Sequence, residues 1–293
     1  MSYEKLVGIF ERLNAGLPEG IPKMSLTETI DMWEEIFRWN KNKVISANVD
    51  ISLENLIHFY IVEYACFSFS VNNKNVMRET LLYNGLFTII ANTVFTIWNL
   101  AMDGLDYSAK VLLRNLLELM LTTLTVLLDD SKKNALMDAY QNNTTKQVWH
   151  KHFSIKKMIE TISQYKKVKE TPLFEWATER YAHFSSYVHN DFLALLALSR
   201  SVVDEESEMT NPNICGSYAT RTELLLDELA ELCYIFDLLF LFIYEEKSKD
   251  SNDTTFASFL KNEECWQNAM YLSLLNKAYY EEITSKENSN DQL

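Results

Sequence analysis

Glycine and proline are scarce in this chain, with 6 glycines and 4 prolines in 293 residues. β-Sandwiches and barrels need turn residues every ~8–12 positions, and dinucleotide-binding sheets need glycine-rich phosphate loops. The scarcity therefore excludes these classes and favours long helices. The 4 cysteines form no Cys-x-x-Cys pair and no dense cluster. This spacing argues against a zinc ribbon or a disulfide scaffold and predicts free thiols in a reducing compartment.

Motifs for cofactors and metals are also missing. The chain has no Walker A loop, no Gly-x-Gly-x-x-Gly, no Gly-x-Ser-x-Gly, no His-Glu-x-x-His and no paired Glu-x-x-His. His150 and His152 are two positions apart and diverge on a helix, so they are not a metal site. We therefore expect no cofactor and no metal.

Positive charge is scarce overall but locally concentrated. The chain has 27 Lys and Arg against 41 Asp and Glu, a net charge of −14, which disfavours generic nucleic-acid or anionic-membrane binding. Residues 146–169 nevertheless hold seven lysines against Glu160 alone, interleaved with aromatic residues. Such a segment suits phosphates and stacked bases, and the alternatives are a solvated helix or a patch for an acidic protein. The predicted nucleic-acid-binding residues are Lys151, Lys156, Lys157, Lys166 and Lys167.

A membrane-spanning segment is a further class to weigh. No charge occurs from Leu81 to Met102, close to the ~20 residues that span a bilayer. Three asparagines and several threonines interrupt the segment, and no Lys/Arg cluster flanks it. We predict a buried central helix, and the chain opens without an apolar signal segment. The expectation is a cytoplasmic protein with no membrane partner.

Apolar periodicity and capping signals predict an all-α fold, a single multi-helix bundle. Residues 1–24 are predicted to form an N-terminal helix and a Gly/Pro loop, residues 25–283 one all-helical domain, and residues 284–293 a disordered tail. The predicted helices cover residues 25–39, 53–69, 76–102, 105–128, 135–140, one or two exposed helices in 146–169, 173–188, a short helix ending at 200, 221–246 and 255–283. Residues 201–217 are predicted to form a long loop.

Two polar pairs lie at helical spacing on otherwise apolar helices. Arg114 and Glu118 are the only charges between Lys110 and Asp129, so they form a narrow polar stripe. Ser185 and His189 lie on the margin of an apolar face, where a half-buried group suits a general base. The alternatives are an internal salt bridge for the first pair and a helix-terminal imidazole for the second.

The stretches Leu112–Glu118 (LLRNLLE) and Phe184–His189 (FSSYVH) resemble those of bacterial HEPN-like proteins, whose name stands for higher eukaryotes and prokaryotes nucleotide-binding. The resemblance covers about residues 80–245 and is strongest to an uncharacterised branch with an Arg-x-x-x-Glu helix and a Ser-x-x-x-His helix end. It implies a HEPN-like core with extra N- and C-terminal helices, a site of Arg114, Glu118, Ser185 and His189, and a homodimer.

The function that this resemblance implies is a cytosolic effector acting on RNA or nucleotides in phage defence, toxin–antitoxin biology or stress. The enzymatic form of that function is a metal-independent ribonuclease. HEPN ribonucleases carry Arg and His four to six residues apart on one helix. The chain departs from this spacing, since eight residues separate Arg180 from His189 and two separate it from His183. The alternative function is a non-catalytic helical module that binds protein partners.

Overall fold

The computed structural model describes residues 51–71, 77–142, 144–165, 173–188, 200–204, 209–212, 219–249, 253–261 and 263–290, together with short stretches between residues 7 and 31. The helices named in this part of the chain are α1 (Ile51–Ser70), α2 (Met77–Met102), α3 (Asp106–Leu128), α4 (Asp130–Asn142), α5 (Thr145–His152), α6 (Ile155–Ser163), α7 (Leu173–Val188), α8 (Ala219–Lys247) and α9 (Glu264–Asn290). A two-stranded hairpin, β1 (Arg200–Asp204) and β2 (Met209–Pro212), precedes α8. The predicted all-α bundle is confirmed.

Helix α1 packs between α2 and α9 and also contacts α8. Its fully buried residues Ile57, Tyr60, Tyr64 and Phe67 recur every three or four positions, the period that places side chains on one helix face. Asn84 of α2 donates a hydrogen bond to the Ser68 carbonyl over 3.0 Å. The first described long helix and the last one are therefore neighbours in the bundle.

Helix α3 is the other central element, since α2, α6, α7 and α8 all pack against it. The turn from α2 to α3 is tight: Gly104 has a φ of 72°, which favours glycine, and its N–H donates to the Ala101 carbonyl over 2.9 Å. The N–H of Leu105 donates to the Leu100 carbonyl over 2.7 Å. This turn folds α3 back along α2.

Aromatic side chains fill the core where α1, α2 and α8 meet the segment before α9. The ring centroids of Phe67 and Phe240 are 4.8 Å apart, and those of Phe259 and Trp266 are 5.2 Å apart. Edge-on and tilted arrangements of this kind add to the free energy gained from burial. The buried apolar residues form one connected cluster that includes all of these rings.

Most helix predictions agree with the structure to within a few residues, including those for α1, α2, α3, α7 and α8. Four predictions were wrong in part. The predicted 201–217 loop contains strand pairing between Arg200 and Pro212, with an irregular register between Val202 and Asp204. Helix α4 is longer than predicted, α9 begins at Glu264 rather than near residue 255, and its backbone stays helical to Asn290 where a disordered tail was expected.

The predicted exposed helices of residues 146–169 are two short helices, α5 and α6, and α6 is not simply exposed. Met158, Ile159 and Ile162 are fully buried against the bundle, while the lysines of α6 lie on its outer side. The period of these apolar residues matches an amphipathic helix. The many lysines of the segment made its composition look like that of an exposed helix, although one side of α6 is apolar.

Near the N-terminus, the described residues include the predicted capping box. The N–H of Glu28 donates to Ser25 Oγ over 3.1 Å, and the N–H of Ser25 donates to Glu28 Oε2 over 2.7 Å. Residues 7–8, 11–12 and 14–15 are helical, as the predicted N-terminal helix requires. The rest of the predicted 25–39 helix and the short helix before residue 200 lie outside the described residues.

The prediction of a buried central helix for α2 is only partly correct. One face of α2 lies in the core, and the opposite face is exposed. Leu81 is 66% exposed and Ile89 is 54% exposed on the opposite face. Helices α2 and α3 are long and apolar enough to cross a membrane by length and composition, a test that core helices of soluble proteins also pass. An exposed face without charge is thus a feature of α2 that the sequence analysis did not foresee.

Candidate functional site

The candidate site lies where α7 crosses α3. Tyr107 donates a hydrogen bond to the Tyr187 carbonyl over 3.3 Å, and Arg114 donates to the Tyr181 hydroxyl over 2.7 Å. Lower numbers on α3 therefore face higher numbers on α7, so the two helices run antiparallel. This arrangement puts the polar stripe of α3 against α7.

Arg114 has partners on both helices. Its Nε is 3.3 Å from Glu118 Oε1, one turn further along α3. Its guanidinium carbon lies 4.9 Å from the centroid of the Tyr181 ring, in addition to the hydrogen bond to that hydroxyl. The side chains of Arg114 and Glu118 are 18% and 23% exposed, so the pair sits at the edge of the core. The predicted ion pair is formed, and Tyr181 is a partner that the sequence did not indicate.

Ser185 lies one helical turn after Tyr181 on α7 and is half-buried. Its Oγ is buried and has no hydrogen-bond partner among the described residues. Buried hydroxyls without a partner are rare in native proteins, so this atom marks a place where a further group is expected. His189, the fourth predicted site residue, lies outside the described residues.

A cation, a carboxylate and an imidazole meet beside this pair. Lys110 Nζ lies 3.4 Å from Glu228 Oε2 on α8 and also donates to the Tyr187 hydroxyl over 3.3 Å. His183 Nε2 is 3.1 Å from Glu228 Oε1. Burial acts to raise the pKa of Glu228, but the hydrogen bond from His183 and the charge of Lys110 outweigh it and hold that pKa below its ordinary value. Glu228 is therefore ionised at neutral pH and ties α3, α7 and α8 together.

A second carboxylate makes a parallel bridge from α8 to α7. Glu231 accepts a hydrogen bond from Trp176 Nε1 over 3.0 Å and pairs with Arg180 at 2.5 Å. Beneath these side chains lies an apolar void of about 10 Å³, lined by Leu117, Met120, Leu121, Leu124, Trp176, Leu232, Ile235, Phe236 and Leu239. The void has the volume of about one water molecule and is too small for an organic ligand.

We call this set of residues on α3, α7 and α8 the polar cluster: Lys110, Arg114, Glu118, Trp176, Arg180, Tyr181, His183, Tyr187, Glu228 and Glu231. Its three permanent cations each face a carboxylate of the same cluster. The charges of these three cations are therefore compensated within the cluster. Sequence spacing reveals only Arg114 with Glu118, because the other pairs join helices far apart in the chain.

In the predicted basic segment, unlike in the polar cluster, several cations are exposed to solvent. Lys146, Lys151 and Lys156 are exposed on α5 and α6, and the Lys156 side chain is 76% exposed. Lys157 instead turns back on α5 and donates to the Lys151 carbonyl over 2.6 Å. Of the other predicted nucleic-acid-binding residues, Lys166 and Lys167 lie outside the described residues.

The imidazole of His152 lies near the end of α5, close to several lysines. Burial and the nearby charges of Lys151, Lys132 and Lys157 lower the pKa of His152. This histidine is therefore neutral at pH 7.

A second buried polar group, which the sequence analysis did not identify, joins α1, α8 and α9. Glu63 is fully buried and accepts hydrogen bonds from Ser273 Oγ and, over 2.7 Å, from Asn276 Nδ2. Asp237 is hydrogen-bonded to Glu63 and accepts from the Tyr64 hydroxyl over 3.0 Å. No cation is paired with either carboxyl among the described ion pairs, so one proton must lie between the two acids.

Burial raises the pKa of both acids. The pKa of Glu63 rises to about 7, and burial together with the neighbouring Glu63 raises that of Asp237 well above its ordinary value. The hydrogen bonds from Ser273 and Asn276 act in the opposite direction on Glu63. Within the described part of the chain, no group of three or more His, Cys, Asp or Glu is placed to hold a metal ion. Chemically, this pair stores a proton inside the bundle.

The chain was compared with protein-family models, with curated proteins and with solved structures, and none of them matches. The HEPN resemblance therefore rests on the quoted residues alone.

Proposed function

We propose that the protein is a cytoplasmic helical interaction module that binds a polyanionic partner through the outer side of α5 and α6. The basic surface, as we call it, consists of Lys146, Lys151 and Lys156. In this proposal the polar cluster fixes the packing of α3, α7 and α8 and takes no part in chemistry. The thiols of Cys66, Cys233 and Cys265 are unpaired, in keeping with a reducing compartment.

The observation that carries the proposal is the contrast between two sets of cations. Lys110, Arg114 and Arg180 are at most one-third exposed, and each faces a carboxylate. Lys156, by contrast, is 76% exposed, and the nearest carboxylate, Glu160, is 4.0 Å away across one turn of helix. A surface ion pair of that length contributes little, so the Lys156 charge stays free to meet phosphate.

The supporting structure of α6 makes this surface rigid. Three buried apolar residues hold α6 against the bundle, and α6 packs against both α3 and α7. The ring of Trp149 stacks on that of Phe153 at a centroid distance of 5.6 Å, which fixes the end of α5. Lysines on a helix whose backbone is held in place lose less backbone entropy when they bind than lysines on a mobile loop.

The test is RNA retention on a filter at increasing salt, with Lys151→Glu/Lys156→Glu compared with the parent chain. We expect the parent to retain single-stranded RNA, the variant to lose at least tenfold in affinity, and retention by the parent to fall steeply with salt as counterions are released. Lys249→Glu is the control, since Lys249 is 68% exposed and pairs with Glu245 across one turn at 3.3 Å, much as Lys156 faces Glu160. Absence of retention in the parent, or equal loss in the control, contradicts the proposal.

A second candidate function is favoured by Ser185, whose buried Oγ has no partner in the described part of the chain. It is the HEPN-like effector that acts on RNA or nucleotides in phage defence, toxin–antitoxin biology or stress. In that function His189 acts as a general base, Ser185 orients it, and Arg114 neutralises the negative charge of the substrate. Expression of the parent then arrests growth with cut RNA, and His189→Ala relieves the arrest at an unchanged melting temperature. Growth without arrest removes this candidate.

A further inference from the structure

The outward side of α2 carries no charge over nearly its whole length. From Leu81 to Met102 the helix has no Asp, Glu, Lys or Arg. We call the following set the α2 outer face, since its members recur every three or four positions away from the core: Leu81, Gly85, Thr88, Ile89, Asn92, Phe95 and Thr96. Leu81, Ile89 and Phe95 are 66%, 54% and 49% exposed. Large apolar side chains exposed together mark interaction surfaces.

The neighbouring helix α1 extends the uncharged surface. Between Asn55 and Ser70 its only charged residue is Glu63, which is fully buried. Phe69 is 72% exposed and Val62 is 50% exposed on this helix. Over residues 55–70 of α1 and 81–102 of α2, two adjacent helices therefore carry no surface charge, in a chain with a net charge of −14.

From these observations we infer that the α2 outer face binds a second copy of this chain and forms a symmetric dimer. Two copies that each carry a net charge of −14 repel each other, and a surface without charge adds no local repulsion when they meet. In a two-fold dimer the same patch is presented by both partners, so the face must also complement itself.

The α2 outer face is self-complementary about a two-fold axis near Ile90. Antiparallel pairing about that point sets Phe95 of one copy opposite Gly85 of the other, and Thr88 opposite Asn92. A side-chain carbon added at Gly85 would meet nothing within 4 Å, so the space above this glycine is open. The Phe95 ring, 49% exposed, has the size to fill that space. Glycine weakens a helix interior, and no described neighbour requires one at position 85.

The polar residues of α2 do not oppose burial of this face. Thr93 and Thr96 donate to the carbonyls of Ile89 and Asn92 over 2.7 Å each, and Asn99 donates to that of Phe95 over 2.9 Å. These groups therefore keep their hydrogen bonds when water leaves. The Asn92 amide can pair with Thr88 across the axis, whereas a lipid chain offers it no partner. This difference favours a second copy over a membrane surface.

The area suits a dimer of moderate affinity. Residues 81–99 extend about 28 Å along α2, and α1 and α2 together are about 20 Å wide. Each copy then contributes on the order of 500 Å², and the dimer buries about 1,000 Å² in total, at the lower limit for a specific interface. We expect a dissociation constant in the micromolar range.

The test is sedimentation equilibrium of the full chain from ~1 to ~100 µM, a range that spans micromolar dissociation. We expect a monomer–dimer equilibrium for the parent and monomer at all concentrations for Leu81→Asp. Leu224→Asp is the matched control, because Leu224 on α8 is 64% exposed and Leu81 is 66% exposed. The control should dimerise as the parent does. A monomeric parent, or equal loss of dimer in the control, overturns the inference.

Gly85→Gln separates association from folding. Glutamine is a better helix former than glycine and fits the open space, so the melting temperature of the monomer should rise. The same side chain occupies the position of the opposing Phe95, so the dimer should weaken at least tenfold. An unchanged dissociation constant overturns the pairing. Sedimentation of a monomeric parent with phosphatidylcholine vesicles, lost in Ile89→Asp, would assign the face to lipid and also overturn the dimer.

Discussion

Arg114 is held by side chains from two helices, and this changes what removal of one partner costs. Without Glu118, the guanidinium keeps its hydrogen bond to Tyr181 and remains 18% exposed to water. We therefore expect Glu118→Ala to lower the free energy of unfolding by about 1 kcal/mol, rather than the ~3–5 kcal/mol of a stranded buried charge. Urea denaturation gives this value directly.

Tyr181→Phe tests the other partner of the same guanidinium. The substitution removes the hydroxyl and keeps the ring under Arg114, so the loss is that of one charge-assisted hydrogen bond, about 1–2 kcal/mol. Combined with Glu118→Ala, it leaves Arg114 without an oxygen partner among the described residues. The double variant should then lose more than the two single losses added together. Simple additivity would show that the two contacts of Arg114 are independent, and a double loss below the sum would show that Arg114 turns to solvent when either partner is removed.

Glu63 predicts that stability depends on pH in an unusual direction. Its pKa is about 7 in the folded protein and about 4.5 when unfolded, so the folded state binds the proton more tightly. The contribution of Glu63 to the free energy of unfolding is therefore largest below pH ~4.5. It decreases by about 3 kcal/mol as the pH rises to ~7. The titratable groups around it on α1 and α8 are Tyr60, Tyr64, Cys66, Cys233 and Asp237.

Glu63→Gln is the variant that isolates this effect. The amide stays neutral at every pH and keeps an oxygen for Asn276 and Ser273. We expect the stability of the variant to exceed that of the parent above pH 7 and its slope between pH 5 and 7 to be smaller. The measurement is chemical denaturation at a series of pH values. Parallel curves for the two proteins would show that Glu63 does not carry the proton.

At the scale of helices, Lys157 contributes to the structure of α5. Its ammonium group donates to the Lys151 carbonyl at the end of that helix, where unpaired carbonyls and the helix dipole favour a cation. Lys157→Glu should therefore lower the free energy of unfolding by roughly 1 kcal/mol, whereas Lys156→Glu should leave it nearly unchanged. Differential scanning calorimetry distinguishes the two. Lys156 is thus the better probe of RNA binding, because its loss does not perturb the helix.

The long helices could be predicted from the sequence because their apolar period persists over many turns. The stretch from Lys110 to Asp129, in which Arg114 and Glu118 are the only charges between the two ends, and the charge-free stretch of α2 are each long enough to imply a helix. The start of α9 could not be predicted in this way. Residues 253–261 contain apolar residues that suggested a helix, yet most of them form turns. The N–H of Leu260 donates a hydrogen bond to the Ser70 carbonyl over 2.9 Å. Pairing with a distant segment overrode the local pattern.

In the candidate site, contacts within one helix could be predicted from the sequence, whereas contacts between helices could not. Arg114 and Glu118 share one helix, so their spacing predicts their contact. Glu228 and Lys110 meet only because α8 packs on α3, and the two residues are 118 positions apart. Glu63 and Asn276 are 213 positions apart. A single sequence carries the chemical type of such residues but not the packing that joins them.

For the whole molecule, the packing of α3 against α8 is one of the contacts that should contribute strongly to stability. Leu117 and Leu239 are each 2% exposed and lie on the two helices that pack together. Leu117→Ala and Leu239→Ala should each lower the free energy of unfolding by ~2–5 kcal/mol, because each leaves a cavity. Urea denaturation followed by far-ultraviolet circular dichroism gives both values. Losses below ~1 kcal/mol would place these residues outside the core.

The contact between α1 and α9 has a consequence for synthesis on the ribosome. Helix α1 ends at Ser70 and α9 begins at Glu264, so about 190 residues are made between them. At ~5–20 residues per second, α1 waits roughly 10–40 s with Glu63 and its apolar neighbours uncovered. The nascent chain therefore exposes this surface to chaperones until translation of α9 is complete.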